Sequence, residues 1–289
     1  MREKISACVI TFNEERKIRR CLQSLTWCDE TIVLDSFSTD RTMEVCRDFT
    51  TRVYQHEWLG YVAQRNLVRE LSSHPWVLFV DSDEEMSTGL RDEILTEFER
   101  GTGAYVGYEF PRRVYYLGRW IHHGEWYPDV KLRLFKKQFG RTEGQEPHDK
   151  VVVSGTIKRL RHPLYHYTYD DFRDHLETLN RFSSIAAQQR VIQGAPFRWR
   201  DLLFRPALRF LKGYVMRRGF LDGPRGLVIA VTSSFGVFAK YAKHWEMTQR
   251  QKSTFQDMPA TAVPPARPAT AGGGAAVAGP SGSRPSDHG

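Results

Sequence analysis

Four short apolar runs, each closed by polar or acidic residues and separated by a helix-length segment, occupy the first 83 residues. Ile5–Thr11, Thr31–Leu34, Arg52–Gln55 and Trp76–Val80 read as strands. Between the first two, Ile18, Cys21, Leu22 and Leu25 fall at i, i+3, i+4 and i+7, an apolar helix face. A second helix passes through Val45, Cys46 and Phe49 with Thr39 or Asp40 as its cap, and a third runs from about Tyr61 to Leu71. Such alternation predicts a parallel sheet with helices on both faces. Ligands of these sheets bind at the carboxyl ends of the strands. Here those ends carry Thr11, Asn13 and Glu14, then Asp35, then Asp81 and Asp83.

Beyond residue 103 the pattern changes. Ala104–Phe110, Val130–Lys136 and Lys150–Val153 read as strands. Leu117–Asp129 is dense in Trp, His and Gly, a composition suited to a binding loop. Tyr169–Gln193 reads as a long helix with Phe172, Leu176, Leu179 and Phe182 on one face, ended before Pro196. No internal repeat is visible.

The net charge of +8 is concentrated in one segment. Residues 1–195 hold 28 Lys and Arg against 29 Asp and Glu, whereas residues 196–256 hold 12 against 3. Arg205, Arg209 and Lys212 fall on one helical side, with Leu203, Phe210 and Tyr214 supplying apolar surface. This reads as a basic amphipathic segment lying on an anionic membrane. Nucleic acid is not expected as a partner, since no known binding module is present. No apolar run reaches the ~18–20 residues of a membrane span, and no signal peptide follows Met1. The expected location is therefore cytoplasmic, peripheral on the inner face of the cytoplasmic membrane. Residues 257–289 hold 23 Pro, Ala, Gly or Ser out of 33, the composition of a disordered tail. Cys8, Cys21, Cys28 and Cys46 have neither metal-ligand nor disulfide spacing and read as free thiols.

Asp81-Ser82-Asp83 directly follows five apolar residues, so both carboxylates stand at a sheet edge. Two carboxylates spaced by one residue can bind Mg²⁺ or Mn²⁺ and leave positions for phosphate oxygens. Asp35 opens a turn and can accept hydrogen bonds from a base or a ribose. The order Thr11-Phe-Asn-Glu14, Asp35-Ser-Phe-Ser-Thr-Asp40, Gln64-Arg-Asn66, Asp81-Ser-Asp83 is a specific combination. It resembles the family 2 glycosyltransferases of the GT-A fold. Within that family, Tyr127-Pro-Asp-Val-Lys-Leu-Arg-Leu-Phe135, Glu146-Pro-His-Asp149, Leu164-Tyr-His-Tyr167 and Arg218-Gly-Phe-Leu-Asp-Gly223 are similar to the bacterial lipopolysaccharide-core β-1,4-glucosyltransferases. The likeness covers roughly residues 4–250.

The resemblance implies an α/β fold: a Rossmann-like nucleotide-binding sheet with helices on both faces, followed by C-terminal helices. It implies a catalytic domain over 1–195, with a nucleotide-sugar half to about 103 and an acceptor half from about 104. The basic segment 196–256 and the tail 257–289 follow. Thr11, Asn13 and Glu14 would line the donor nucleotide pocket, and Asp35 would meet uracil or ribose. Arg65 would brace that pocket or the diphosphate. Asp81 would face ribose and metal, and Asp83 would ligate Mg²⁺ or Mn²⁺, with His166 as a further candidate ligand. Asp149 would be the general base, in Pro-His-Asp where the family often has Val-His-Glu. Trp126 and Asp129 are candidates for acceptor binding.

The implied reaction is an inverting transfer of a hexose, glucose by resemblance, from a UDP-sugar to a lipid-linked saccharide of the lipopolysaccharide core. A single displacement assisted by one base inverts, whereas a double displacement needs a second carboxylate as nucleophile. The alternative acceptor is a polyprenyl phosphate or another cell-surface glycan. From other classes, a non-catalytic basic membrane- or RNA-binding protein remains. An aspartyl phosphatase is disfavoured because Glu85 stands where its motif needs Thr.

Overall fold

The computed structural model describes residues 2–145 and 148–256. The chain forms one unit to Met247, and residues from 248 belong to a second. In the first unit β1 (Ile5–Thr11), α1 (Ile18–Gln23), β2 (Glu30–Asp35), α2 (Thr42–Arg47), β3 (Val53–Gln55), α3 (Tyr61–Leu71) and β4 (Trp76–Phe79) follow one another. All four strands pair in parallel, in the order β3-β2-β1-β4. Their apolar runs are continuous because both faces of the sheet are covered. Ile5, Ala7, Val9, Val33, Trp76 and Leu78 enter one core. The alternate residues Cys8, Ile32, Leu34, Val77 and Phe79 enter the other.

Beyond residue 103, where the alternation of strand and helix stops, the sheet is no longer all parallel. After β5 (Glu84–Met86) and α4 (Thr88–Arg100) come β6 (Tyr105–Tyr116), β7 (Arg119–Trp120) and β8 (Asp129–Lys136). The chain then forms β9 (Gly140–Gln145), β10 (His148–Val153), β11 (Thr156–Arg159) and β12 (Leu164–His166). β8 joins β4 in antiparallel fashion and β6 joins β8 likewise. β12 lies parallel to β6 and antiparallel to β5, so the sheet is mixed. β9 and β10 form a separate hairpin. No crossover helix links β6 to β8, and a connection of that kind favours antiparallel pairing. Along α4, Leu90, Ile94 and Phe98 fall at i, i+4 and i+8 and are buried in the core, an apolar helix face. α4 is set by its Ser87 cap, whose Oγ accepts from Leu90 N at 3.1 Å.

All four cysteine thiols are free, and Cys8, Cys21 and Cys46 are buried. α5 (Phe172–Ile192) corrects the expectation drawn from its periodicity. Its apolar Phe172, Leu176 and Phe182 stand exposed, while His175, Ser183 and Ala187 are buried. His175 is drawn inward by Tyr116, whose hydroxyl lies 2.7 Å from Nδ1, and by stacking on Tyr169. α6 (Trp199–Phe210), a π-helical stretch Leu211–Met216 and α7 (Pro224–Gln256) complete the described chain. Among the described residues no helix is long and apolar enough to cross a membrane. The tail 257–289 lies outside the described residues.

Candidate active site

The carboxyl ends of β1, β2 and β4 converge on one edge, in register: Thr11 lies beside Asp35. Asp35 is fully buried, and Ser38 and Gln55 hold its carboxylate. Oδ1 accepts from Ser38 Oγ, and Oδ2 accepts from Ser38 N at 2.9 Å and from Gln55 Nε2 at 3.0 Å. Asn13 is exposed and fastens the loop after β1 to the loop after β2. Its N donates to Ser38 Oγ at 2.8 Å, and its Oδ1 accepts from Thr39 N at 2.8 Å. Asn13 adopts φ 54°, a left-handed conformation that Asn tolerates better than most residues. Asp40 receives Thr42 N at 3.0 Å and Glu15 N at 3.2 Å, although the N-cap position of α2 falls to Arg41, one residue later than expected. Thr11 Oγ1 and Gln64 Oε1 are buried with no partner among the described residues.

α3 buries Gln64, Arg65 and Val68. Two polar residues on a buried face need partners, and Arg65 finds two carboxylates. Its Nη2 donates to Asp81 Oδ1 at 2.7 Å and its Nη1 to Asp149 Oδ2 at 2.6 Å. Asp81 Oδ2 accepts from Arg133 Nη2 at 2.5 Å. Arg133 also reaches Glu84 Oε1 at 3.1 Å, which Arg112 shares at 3.2 Å. Arg112 closes the series on Asp129 Oδ2 at 2.7 Å. Asp149, Arg65, Asp81, Arg133, Glu84, Arg112 and Asp129 thus alternate in sign from β10 to β8. Burial alone would raise the Asp81 carboxyl, but Arg133, Arg65 and Arg112 hold it well below the usual carboxylate range.

Asp83 stands apart from that chain. Its Oδ2 lies 3.1 Å from His166 Nε2, and β12 carries the histidine there. The backbone adds a bond from Tyr167 N to Asp83 O at 2.9 Å. Thr168 Oγ1, 2.7 Å from Nδ1, orients the ring. Burial would raise the Asp83 carboxyl, and the adjacent imidazole brings it below its ordinary value. The pair offers one oxygen and one nitrogen; the carboxylate oxygen suits either Mg²⁺ or Mn²⁺, whereas the imidazole nitrogen suits Mn²⁺ better than the harder Mg²⁺. Such ions keep several positions for water and substrate phosphate. Asp81, with both oxygens on guanidinium groups, is less available. Among the described residues no group of three or more His, Cys, Asp or Glu is arranged to hold a metal.

Glu14, at the same edge, is pushed up to about 7 by burial, with Lys17 opposing and Asp83, Asp170 and Asp40 adding to the rise. Trp126 packs its ring against Tyr116, Tyr169 and His175. Of the residues singled out in the sequence, Arg65, Asp81 and Asp149 are joined by direct contacts, and Asp83 and His166 form a separate pair. Asp129 is linked through Arg112 and Glu84. Arg133, Glu84 and Arg112 escaped the sequence reading. The available signal was Arg133 between Leu132 and Leu134-Phe135, a charge inside an apolar strand that has to be paired.

The model of the family described as glycosyl transferase family 2 matches residues 6–166. The chain belongs to glycosyl transferase family 2. An uncharacterized glycosyltransferase of Rickettsia typhi is 31% identical over 262 residues, 87% of this chain and 90% of that one. The lipopolysaccharide core biosynthesis glycosyltransferase LpsC of Rhizobium meliloti is 29% identical over 249 residues, 84% of this chain and 92% of LpsC. Among solved structures, the mannosyltransferase PcManGT from Pyrobaculum calidifontis, in complex with GDP-Man and Mn²⁺, superposes with a TM-score of 0.52. It is 13% identical and the match covers 85% of this chain and 88% of that one, a likeness of fold. The family 2 transferase therefore has the GT-A type of α/β fold, and its β1–β12 region carries the family match.

Proposed function

We propose that this family 2 transferase moves a hexose from a UDP-sugar to a lipid-linked saccharide in lipopolysaccharide core assembly, with inversion, at the cytoplasmic face of an anionic membrane. The observation that carries the reading is the Asp83–His166 pair at 3.1 Å, beside the arginine-bound Asp81 and on the strand edge where such sheets bind nucleotides. Its likeness to LpsC supports the acceptor class.

In this reading Asp83 and His166 hold Mg²⁺ or Mn²⁺. When bound, the ion supplies positive charge against the leaving diphosphate. The chain's own residues do the rest. Asp35 and Thr11 define the base and ribose end, and Asn13 and Glu14 border it. Arg65 ties Asp81 to Asp149 and so fixes the distance between the donor edge and the base. An acceptor hydroxyl, with a pKa near ~15–16, has to lose its proton as it attacks. Asp149 accepts from Arg65 through Oδ2, and its Oδ1, without a hydrogen bond among the described residues, is the oxygen to take that proton. A positioned base of this kind is worth about 10²–10⁴-fold. Trp126 and Asp129 stand on the acceptor side of the site.

The test is a panel of UDP- and GDP-sugars screened for thermal stabilisation with and without Mn²⁺, since specific ligands raise the melting temperature. Stabilisation by a UDP-hexose that depends on the metal and disappears in Asp83→Ala supports the proposal. Stabilisation by GDP-sugars alone, or by none, overturns it.

A further inference from the structure

More than half of the large apolar side chains exposed among the described residues fall between Ile192 and Trp245. They are not scattered. Phe204, Leu208 and Leu211 recur at i, i+4 and i+7 on α6 and its π-helical continuation, followed by Val215, and Phe204 and Leu208 are 64% and 61% exposed. A contiguous apolar stripe of that kind marks a contact surface.

The charges beside the stripe divide into two groups. Arg205 pairs with Asp201 at 2.7 Å and Arg209 with Glu125 at 2.6 Å, so these two serve the protein itself. Lys212, Arg217 and Arg218 are exposed and have no ion pair among the described residues. Unpaired cations beside exposed apolar side chains suit an anionic lipid surface, where headgroups meet the cations and acyl chains the stripe.

The same segment is fastened to the loop between β7 and β8. Asp222 accepts from His123 N at 2.8 Å and His122 N at 3.2 Å. Gly124 N donates to the Arg217 carbonyl at 2.9 Å. The loop and the segment approach closely: a Cβ on Gly124 would lie 3.4 Å from Gly219 Cα, and one on Gly213 would meet Glu125. From this arrangement we infer that residues 204–218 form a docking face for an anionic bilayer, with Lys212, Arg217 and Arg218 as its headgroup contacts. The face is held to the aromatic loop by these hydrogen bonds, so docking brings that loop to the height of a lipid-linked sugar. This inference rests on the acceptor class proposed above.

The experiment is co-sedimentation of the full chain with vesicles of phosphatidylcholine alone or with about 30 mol % phosphatidylglycerol, together with binding to a short single-stranded RNA. The expected result is binding to the anionic vesicles and release at ~0.5–1 M NaCl. Lys212→Gln/Arg217→Gln/Arg218→Gln should bind at least about tenfold more weakly. Leu208→Gln/Leu211→Gln, which leaves every charge in place, should also bind more weakly. Metal-dependent UDP-sugar stabilisation should be unchanged in both variants, which separates loss of docking from loss of the donor site. Unchanged vesicle binding by either variant overturns the inference, as does tighter binding to RNA than to vesicles or no binding by the parent at low salt. Failure of all sugar nucleotides to stabilise the parent, with vesicle binding intact, would overturn the function and leave the docking face standing.

Discussion

The Asp83 carboxylate and the His166 imidazole lie 3.1 Å apart although 83 positions separate them in the chain. The antiparallel pairing of β5 with β12 makes this possible by setting His166 opposite Glu84. A short strand of three residues thus brings the Asp83–His166 pair together.

The first prediction follows from that pair. Asp83→Ala should reduce transfer by at least ~10²-fold and remove the metal dependence of UDP binding, with little change in melting temperature. Calorimetric titration with UDP, with and without Mn²⁺, checks it. Near-parental turnover would show that the pair is not where a metal acts.

Arg65 joins Asp81 to Asp149, with side-chain exposures of 11%, 24% and 10%. Arg65→Met leaves two largely buried carboxylates without that partner, a change that costs about 3 kcal/mol or more. Chemical denaturation measures the loss, and Arg65→Lys should recover only part of it because one ammonium lacks the two-armed geometry. A methionine variant as stable as the parent would refute the bridging role.

For Asp149→Asn, which keeps shape but is a poor proton acceptor, kcat should fall by ~10²-fold or more with donor affinity retained. Initial rates over a range of donor concentrations separate the two. Parallel losses in donor binding and kcat would assign Asp149 to holding Arg65 alone.

Glu14 gives a pH-dependent prediction. Its folded-state value is raised to about 7, mainly by burial, above the ~4.3 of an unfolded Glu. Folding therefore favours the protonated form. That contribution is complete below the unfolded value and is lost as pH rises to about 7. Glu14→Gln, an uncharged mimic, should melt higher than the parent at alkaline pH and close to it near pH ~4. Thermal melts across that range test this, and a difference independent of pH would contradict it.

Much of this molecule was written in local pattern. Continuous apolar runs in β1, β2 and β4 require a sheet covered on both faces, and the polar residues that end them locate the ligand edge. α3 was bounded correctly at Tyr61 and Leu71 because its apolar and polar positions keep a helical period. The four-motif order was sufficient to point to the family.

Pairing across long sequence separations was not written there. Whether Asp81 is a free ligand or a carboxylate held by Arg65 and Arg133 depends on α3 and β8 packing against β4, and no spacing rule encodes that. The direction of β8 and β6 depended on the absence of a crossover helix. The exposed face of α5 was decided by Tyr116 and Tyr169, which recruit His175 inward against its own periodicity. In the basic segment, composition set the excess of positive charge. The Arg205–Asp201 pair is an i, i+4 contact within α6, but only the tertiary structure brought Glu125 to Arg209 and so set it apart from Lys212, Arg217 and Arg218, because that ion pair depends on a distance of a few Å between residues that the sequence leaves far apart.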